Sequence, residues 1–154
     1  MGMYHGVGGH ASVGMLLCPP LGQSLLRTHR LYRQLATGLA AQGVCALRFD
    51  YRCSGDSAGD SGSLDWQNCV ADIRQAAAEL RVRSGCSMVI GFGAQLGGSL
   101  ALAAAPAAGF AQLILWDPVL DGASHVAELD AWQESLRNDP LHYVRPRSAE
   151  EAGG

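Results

Sequence analysis

The sequence has 154 residues, of which 48% are hydrophobic and 16% charged, with a formal net charge of −3. This composition is typical of a single globular domain and excludes a disordered chain. Arginines gather only modestly, at Arg27, Arg30 and Arg33, so neither a basic stripe nor an acidic tail indicates nucleic acid or another highly charged partner.

Cysteine usage indicates a reducing compartment. The five cysteines are odd in number and show no CxxC spacing, and their spacing to the five histidines matches no metal site. Residues 1–14 lack the basic start and apolar core of a secretory signal. We therefore expect a cytoplasmic protein that binds no metal and needs no cofactor.

The first predicted elements are an apolar run at residues 13–18, an amphipathic segment at 28–42 and a second apolar run at 44–49. A proline pair ends the first run, and Gly43 supplies a stop for the amphipathic segment. Leucines recur every four positions in that segment. The pattern predicts a strand, a helix with a leucine face and another strand, the face comprising Leu31, Leu35 and Leu39.

A Gly-, Ser- and Asp-rich stretch at residues 53–63 predicts a loop, and Asp50 with Arg52 predicts an ion pair that fixes it. Ser63 is the expected cap of a helix that runs to about Arg83. The apolar face predicted for this helix comprises Trp66, Val70, Ile73, Ala77 and Leu80.

The remaining predicted elements are a strand at residues 87–93, a helix at 96–105 ended by Pro106, a strand at 111–116 and a helix at about 124–137. The apolar face of the last helix comprises Val126, Leu129, Trp132 and Leu136. An alternative for this part of the chain is a membrane span, because the sequence has no charged residue from Ser84 to Trp116. The glycines and the proline within that stretch favour strand–helix–strand instead.

Strands and helices thus alternate along one domain, residues 1–145, which a polar tail follows at residues 146–154. Uniformly apolar strands indicate a parallel sheet that is covered on both faces. We expect an α/β three-layer sandwich with a mainly parallel sheet. Ligand sites in such sheets lie beyond the carboxyl ends of the strands.

The stretch GFGAQLGG, residues 91–98, lies between a predicted strand and helix and matches the G-x-Nu-x-G turn that presents a nucleophile. Gly93, Gly97 and Gly98 are the small residues that such a turn requires. The nucleophile position holds Gln95. Its amide nitrogen is delocalised, and a neighbouring base cannot activate it for attack.

The same turn predicts an oxyanion hole. The N–H of Leu96 would supply one donor, and the loop near Leu21 and Gly22 would supply the other. Asp117 follows the next predicted strand and is a candidate acid, although an Asp-Pro pair is also a common strand stop.

Four segments resemble the α/β-hydrolase family in order and spacing. LLCPPLGQSLLRTHR is similar to the oxyanion-loop region, LRFDYRCSGDSAG to the turn after the following strand, GFGAQLGGSLAL to the elbow and its helix, and LILWDPVLDG to the next strand. PPLG, RTHR, FDYR and LWDP most resemble the hydrolase-like proteins associated with exosortase and exopolysaccharide gene clusters. The resemblance implies a partial α/β-hydrolase fold.

The sequence also departs from that family. Cys53 stands where the family's turn has glycine. The opening GMYH resembles the end of an early strand, and the sequence stops before the strands that carry the family's triad acid and histidine. In family terms the chain is about half a domain.

Other nucleophile and base candidates have structural alternatives. Ser99 gives a loose second frame, GGSLA, but that frame would place glycines inside a strand. Cys53, beside Arg52, is a better candidate nucleophile than Cys18, although an ordinary reduced thiol is the simpler interpretation of both. Surface or capping roles are expected for the five histidines, which are His5, His10, His29, His125 and His142.

Three functional hypotheses remain open. The first is a catalytically silent hydrolase-like protein whose pocket above Gln95 binds a small ester, an acyl group or a partner protein. The second is an active serine-type ester, thioester or amide hydrolase, whose catalytic residues are arranged unusually or supplied by another chain. The third is a structural partner protein that dimerises or accepts a strand at the open sheet edge ending at Trp116.

Overall fold

The computed structural model describes residues 2–54 and 64–138. In chain order its elements are β1 Gly2–His5, β2 Val13–Cys18, α1 Gln23–Ala41, β3 Cys45–Phe49, α2 Trp66–Ser84, β4 Met88–Ala94, α3 Leu96–Ala108, β5 Gln112–Trp116 and α4 Gly122–Asn138. The alternation of strands and helices is therefore confirmed. Residues 55–63 of the predicted loop at 53–63, and the tail at 146–154, lie outside the described residues.

The strands form one sheet in the order β1-β3-β2-β4-β5. β1 runs antiparallel to β3, and the other neighbouring pairs are parallel. The sheet is therefore mainly parallel, as the apolar runs predict. Strand β2 is central and buried because neighbours flank it on both sides.

The core has a cluster on each face of the sheet, since successive side chains of a strand point to opposite faces. Leu16 and Cys18 of β2 belong to the larger cluster, which includes residues of α2 and α3. Leu17 of β2 belongs to the smaller one with Tyr32 and Ala36 of α1. Helices thus cover both faces, which confirms the layered α/β architecture.

Helix α1 begins at Gln23, five residues earlier than predicted. Gly22 precedes it with φ of 63°, which reverses the chain direction and lets the polar first turns form at the surface. The predicted leucine face is partly wrong because Leu31 is 45% exposed. Tyr32 and Ala36 are the buried residues of this helix.

Helix α2 begins at Trp66, and its N-cap is Asp65 rather than Ser63. The Asp65 carboxylate accepts a hydrogen bond from the Asn68 N–H, which satisfies a backbone donor at the helix start. Ser63 lies outside the described residues. Trp66 is 42% exposed, so it does not belong to the buried face, because the first turn of α2 leaves it at the surface.

Helix α3 continues through Pro106 to Ala108, so the predicted stop at Pro106 is wrong. A proline inside a helix leaves the carbonyl four residues earlier without its donor. That carbonyl belongs to Leu102, which is 47% exposed and therefore meets water. The helix ends instead at Gly109, whose left-handed backbone donates its N–H to the Ala105 carbonyl.

The chain divides into two compact units, Met1–Val119 with the sheet and Leu120–Gly154 with α4. Within the second unit, Asp121 accepts hydrogen bonds from the N–H groups of Ala123 and Ser124 at the start of α4. Along the described part of the chain, no helix is long and apolar enough to cross a membrane.

Candidate active site at the turn between β4 and α3

Gln95 occupies the single position between β4 and α3. Its φ of 49° and ψ of −128° are rare for a residue with a side chain, and they are the kind of strained angles that a nucleophile elbow imposes. The Gln95 carbonyl accepts from the N–H groups of Gly98 and Ser99 at 2.9 and 3.2 Å. The turn is therefore held by the first residues of α3, and the Gln95 side chain is exposed.

Glycines make the turn this tight. A Cβ on Gly93 would lie 2.5 Å from the Gly97 carbonyl oxygen, so strand and helix approach closely only without side chains there. A Cβ on Gly97 would lie 2.6 Å from the Cys18 carbonyl oxygen, and one on Gly98 would lie 3.0 Å from that of Gly93. The glycines predicted for the turn thus bring the end of β2 against the start of α3.

Tyr32 of α1 links the residue before the turn to the end of β2, a role that the sequence pattern did not reveal. Its hydroxyl donates to the Cys18 carbonyl at 3.0 Å and accepts from the Ala94 N–H at 3.2 Å. The ring lies 5.6 Å from that of Phe92, and burial raises the pKa of the Tyr32 hydroxyl. The sequence signal for its burial was the spacing of four residues between Tyr32 and Ala36, which places both on one face of α1.

The residues predicted for an oxyanion hole lie at the starts of two helices. Leu96 is the first residue of α3, so its N–H has no acceptor within that helix. Gly22 precedes α1, and Leu21 before it packs against the larger core cluster. Because Gly97 contacts the Pro19 carbonyl, the structure brings the loop after β2 beside the elbow.

A groove of about 220 Å³ opens beside Gln95. Asp117, with φ of 50°, contributes to it directly after β5, and the Gln95 N–H donates to the Trp116 carbonyl at 2.9 Å. The structure therefore brings Gln95 and Asp117 together. The residues that line the groove are Thr28, Leu31, Tyr32, Phe92, Ala94, Gln95, Trp116 and Asp117.

The other serine frame does not form an elbow. Ser99 lies inside α3, and its hydroxyl donates to the Val119 carbonyl at 2.6 Å. That bond gives Ser99 a structural role. Its place inside α3 agrees with the rejection of the GGSLA frame.

The two candidate thiols differ in their surroundings. Cys18 is fully buried, and burial raises the pKa of its thiol well above the ordinary value, so it cannot serve as an exposed thiolate. Cys53 is partly exposed with φ of 61°, a conformation that favours the glycine found at this position in the family's turn.

The carboxylate that pairs with Arg52 is Asp72 of α2, at 2.8 Å, and not the predicted Asp50.

In the first unit, His5, His10 and His29 are not among the residues that line the groove. His5 of β1 accepts a hydrogen bond from Arg48, and His10 lies beside Gly85. His29 is on the exposed side of α1, and His125 is in α4. His142 lies outside the described residues. Among the residues described, no group of three or more His, Cys, Asp or Glu side chains could hold a metal ion.

Solved structures support the fold. A serine hydrolase without a lid from Xanthomonas campestris is 23% identical with a TM-score of 0.62, and the match covers 74% of this chain and 53% of that one. A serine hydrolase homologue from Coxiella burnetii is 20% identical with a TM-score of 0.57, covering 74% and 55%. A carboxyl esterase from Bacillus coagulans is 14% identical with a TM-score of 0.62, covering 96% and 54%.

The chain therefore spans about half the length of these structures. No curated protein matches it. The family model described as Serine aminopeptidase, S33, matches residues 25–147, which include the elbow, the groove and most of the sheet. The chain belongs to this family of α/β hydrolases.

Proposed function

We propose that this chain is a catalytically silent α/β hydrolase that binds a small ester or acyl ligand beside Gln95. The observation that carries the proposal is the elbow itself. Gln95 holds the strained backbone angles of the nucleophile position, yet its side chain is a primary amide.

The surroundings of Gln95 support the proposal that this chain does not catalyse hydrolysis. A serine at this position would need a histidine base within hydrogen-bond reach. No histidine is among the described residues that line the groove, and Asp117 is the single acid there. Restoring the hydroxyl alone therefore does not restore a triad.

The groove supports ligand binding. Its walls are largely apolar, with rings from Tyr32, Phe92 and Trp116 that suit a short acyl chain. The N–H of Leu96 has no acceptor within α3, and on this proposal it is the donor for a ligand carbonyl oxygen beside Gln95. The side-chain amide of Gln95 adds two N–H donors and a carbonyl acceptor to the lining of the groove.

Catalysis is tested with a fluorophosphonate probe and a short-chain p-nitrophenyl ester. The wild-type chain and the Gln95→Ala variant should show neither labelling nor turnover above the uncatalysed rate. Gln95→Ser should fold normally and remain without turnover, because no histidine is among the described residues that line the groove. Turnover by the wild type that Gln95→Ala abolishes would disprove the proposal, and labelling of Ser99 would favour the active-hydrolase alternative.

Binding is tested by NMR, with a short-chain ester added to the isotope-labelled chain. The indole N–H signal of Trp116 should shift, because this side chain lines the groove. The signal of Trp66, at the start of α2, serves as the internal control. Equal shifts of both signals, or none, would contradict a ligand site in the groove.

A partner-binding role is the second candidate. Strand β5 pairs with β4 alone among the described strands, and its exposed side includes Ile114 and Trp116. The strand has no charged residue to discourage pairing with another edge, so homodimerisation through β5 is the form this role would take.

Two broader assignments rest on the sequence. The five cysteines are free, and four of them are buried, which supports a cytoplasmic location.

Membership of the branch associated with exosortase and exopolysaccharide genes is supported by four segments, PPLG, RTHR, FDYR and LWDP. Genes for those functions beside this one would support the second assignment, and their absence would count against it.

A further inference from the structure

The first third of the chain is entirely without acidic residues. No Asp or Glu precedes Asp50, whereas Arg27, Arg30, Arg33 and Arg48 all do. Helix α1 carries the first three of these arginines. The whole chain has a net charge of −3, so this part of the sequence is positively charged although the chain as a whole is negative.

Two of these arginines line a groove on α1. The groove has a volume of about 320 Å³, and its described lining is Arg30, Arg33, Gln34 and Thr37. All four side chains are exposed. Residues three and four apart lie side by side on a helix, so the two guanidinium groups can approach the same ligand.

The guanidinium groups of Arg30 and Arg33 have no carboxylate partner among residues 2–54 and 64–138. This distinguishes them from Arg52, which pairs with Asp72, and from Arg83, which pairs with Glu79. The α1 groove therefore presents two positive charges that the described protein does not neutralise.

A buried arginine reinforces this charge. Arg48 is 9% exposed, and it donates to the His5 Nε2 at 3.1 Å and to the Met3 sulfur at 2.9 Å, both of them neutral acceptors. Burial and then the charge of Arg33 lower the pKa of Arg48, while Asp50 opposes them. Burial, Arg48 and Arg33 likewise lower the pKa of His5.

We propose that the α1 groove binds the phosphate group of a small molecule through Arg30 and Arg33. Guanidinium groups match phosphate oxygens with paired hydrogen bonds, and Gln34 and Thr37 provide neutral polar groups beside them. The sequence has no basic stripe that could follow an extended polyanion such as nucleic acid, which favours a small ligand.

Pyrophosphate is the probe for this site, measured by calorimetry at low ionic strength. Arg30→Gln and Arg33→Gln should each weaken pyrophosphate binding about tenfold or more, the usual effect of removing a hydrogen bond to a charged group. Arg74→Gln, on the exposed side of α2, removes the same charge elsewhere and should leave binding within about twofold. Circular dichroism checks that the three variants keep the helical content of the wild type.

His5 provides an independent reading by NMR. A phosphate bound beside Arg33 brings negative charge towards His5, so pyrophosphate should raise the pKa of His5 in the wild type and raise it less in Arg33→Gln. The proposal is overturned if pyrophosphate does not bind, or if Arg74→Gln weakens binding as much as Arg33→Gln. It is equally overturned if anionic phospholipid vesicles bind in an Arg33-dependent way while pyrophosphate does not.

Discussion

Gln95 and Asp117 hold backbone angles in the left-handed region, and both lie at the carboxyl ends of neighbouring strands. The tight turn at Gln95 was predictable, because its flanking glycines and the apolar run before it are local in sequence. The part played by Tyr32 was not predictable, because its hydroxyl joins the ends of β2 and β4, which only the folded sheet brings together.

Tyr32→Phe should destabilise the chain by about 1–3 kcal/mol, because a buried carbonyl and a partly buried N–H then lose their shared partner. Tyr51→Phe is the matched control. The Tyr51 hydroxyl is buried with no hydrogen-bond partner among the described residues, so its removal should be neutral or stabilising. Urea unfolding of both variants checks this pair, and equal losses of stability would contradict it.

His5 should make stability depend on pH. Its pKa in the folded chain is lowered by burial, Arg48 and Arg33, so the unfolded chain binds more protons near that pKa. The contribution of neutral His5 to stability is complete above its unfolded pKa of about 6.5. It is lost as the pH falls below that value and through the lower pKa of the folded chain.

His5→Gln keeps an acceptor for Arg48 but does not titrate. The wild type should lose more stability than His5→Gln between about pH 7.5 and pH 5, a range that brackets the ordinary histidine pKa. Urea midpoints at the two pH values measure the difference. The same loss in both proteins would show that His5 does not carry this effect.

At the scale of elements, strands were easier to predict than helix ends. Apolar runs place β2, β3, β4 and β5 within one residue of their observed limits, since buried parallel strands need continuous apolar sequence. Helix ends depend on single caps and on local solvent exposure. Gly22, Asp65 and Gly109 therefore decide limits that hydrophobic periodicity alone cannot reveal.

Gly97→Ala should destabilise the chain by about 3 kcal/mol, because its methyl group would meet the carbonyl oxygens of Cys18 and Pro19. Gly38→Ala is the matched control, since a Cβ there meets nothing within 4 Å inside α1. It should stabilise the chain by about 0.5–1 kcal/mol through helix propensity. Thermal melts measure both variants. A melting temperature above that of the wild type in both would contradict the close approach of β2 and α3.

For the whole molecule, the alternation of elements was enough to predict a layered α/β sheet, in which β5 pairs with β4 alone among the described strands. The neutral run that forms β4, α3 and β5 also explains why that edge lacks protective charge. What the sequence could not reveal is that no carboxylate among residues 2–54 and 64–138 pairs with Arg30 or Arg33, because ion pairing depends on which carboxylates the fold brings near them.

The open edge should promote self-association. Ile114→Lys places a charge on β5, where the native side chain is 46% exposed, and should lower the fraction of dimer or larger species. Leu102→Lys, at a site 47% exposed on α3, adds the same charge away from the strand edge and should have little effect. Sedimentation velocity at high protein concentration measures both variants, and a wild type that stays monomeric would exclude association through β5.

Trp116 belongs both to this edge and to the groove beside Gln95, whose N–H its carbonyl accepts. A ligand in the groove and a strand added to β5 would therefore contact the same residue. Their binding free energies are then coupled, and the coupling is reciprocal, so each occupant changes the affinity for the other by the same factor. If both proposals hold, a turn without a nucleophile would still let a small molecule change the affinity for a protein partner at β5.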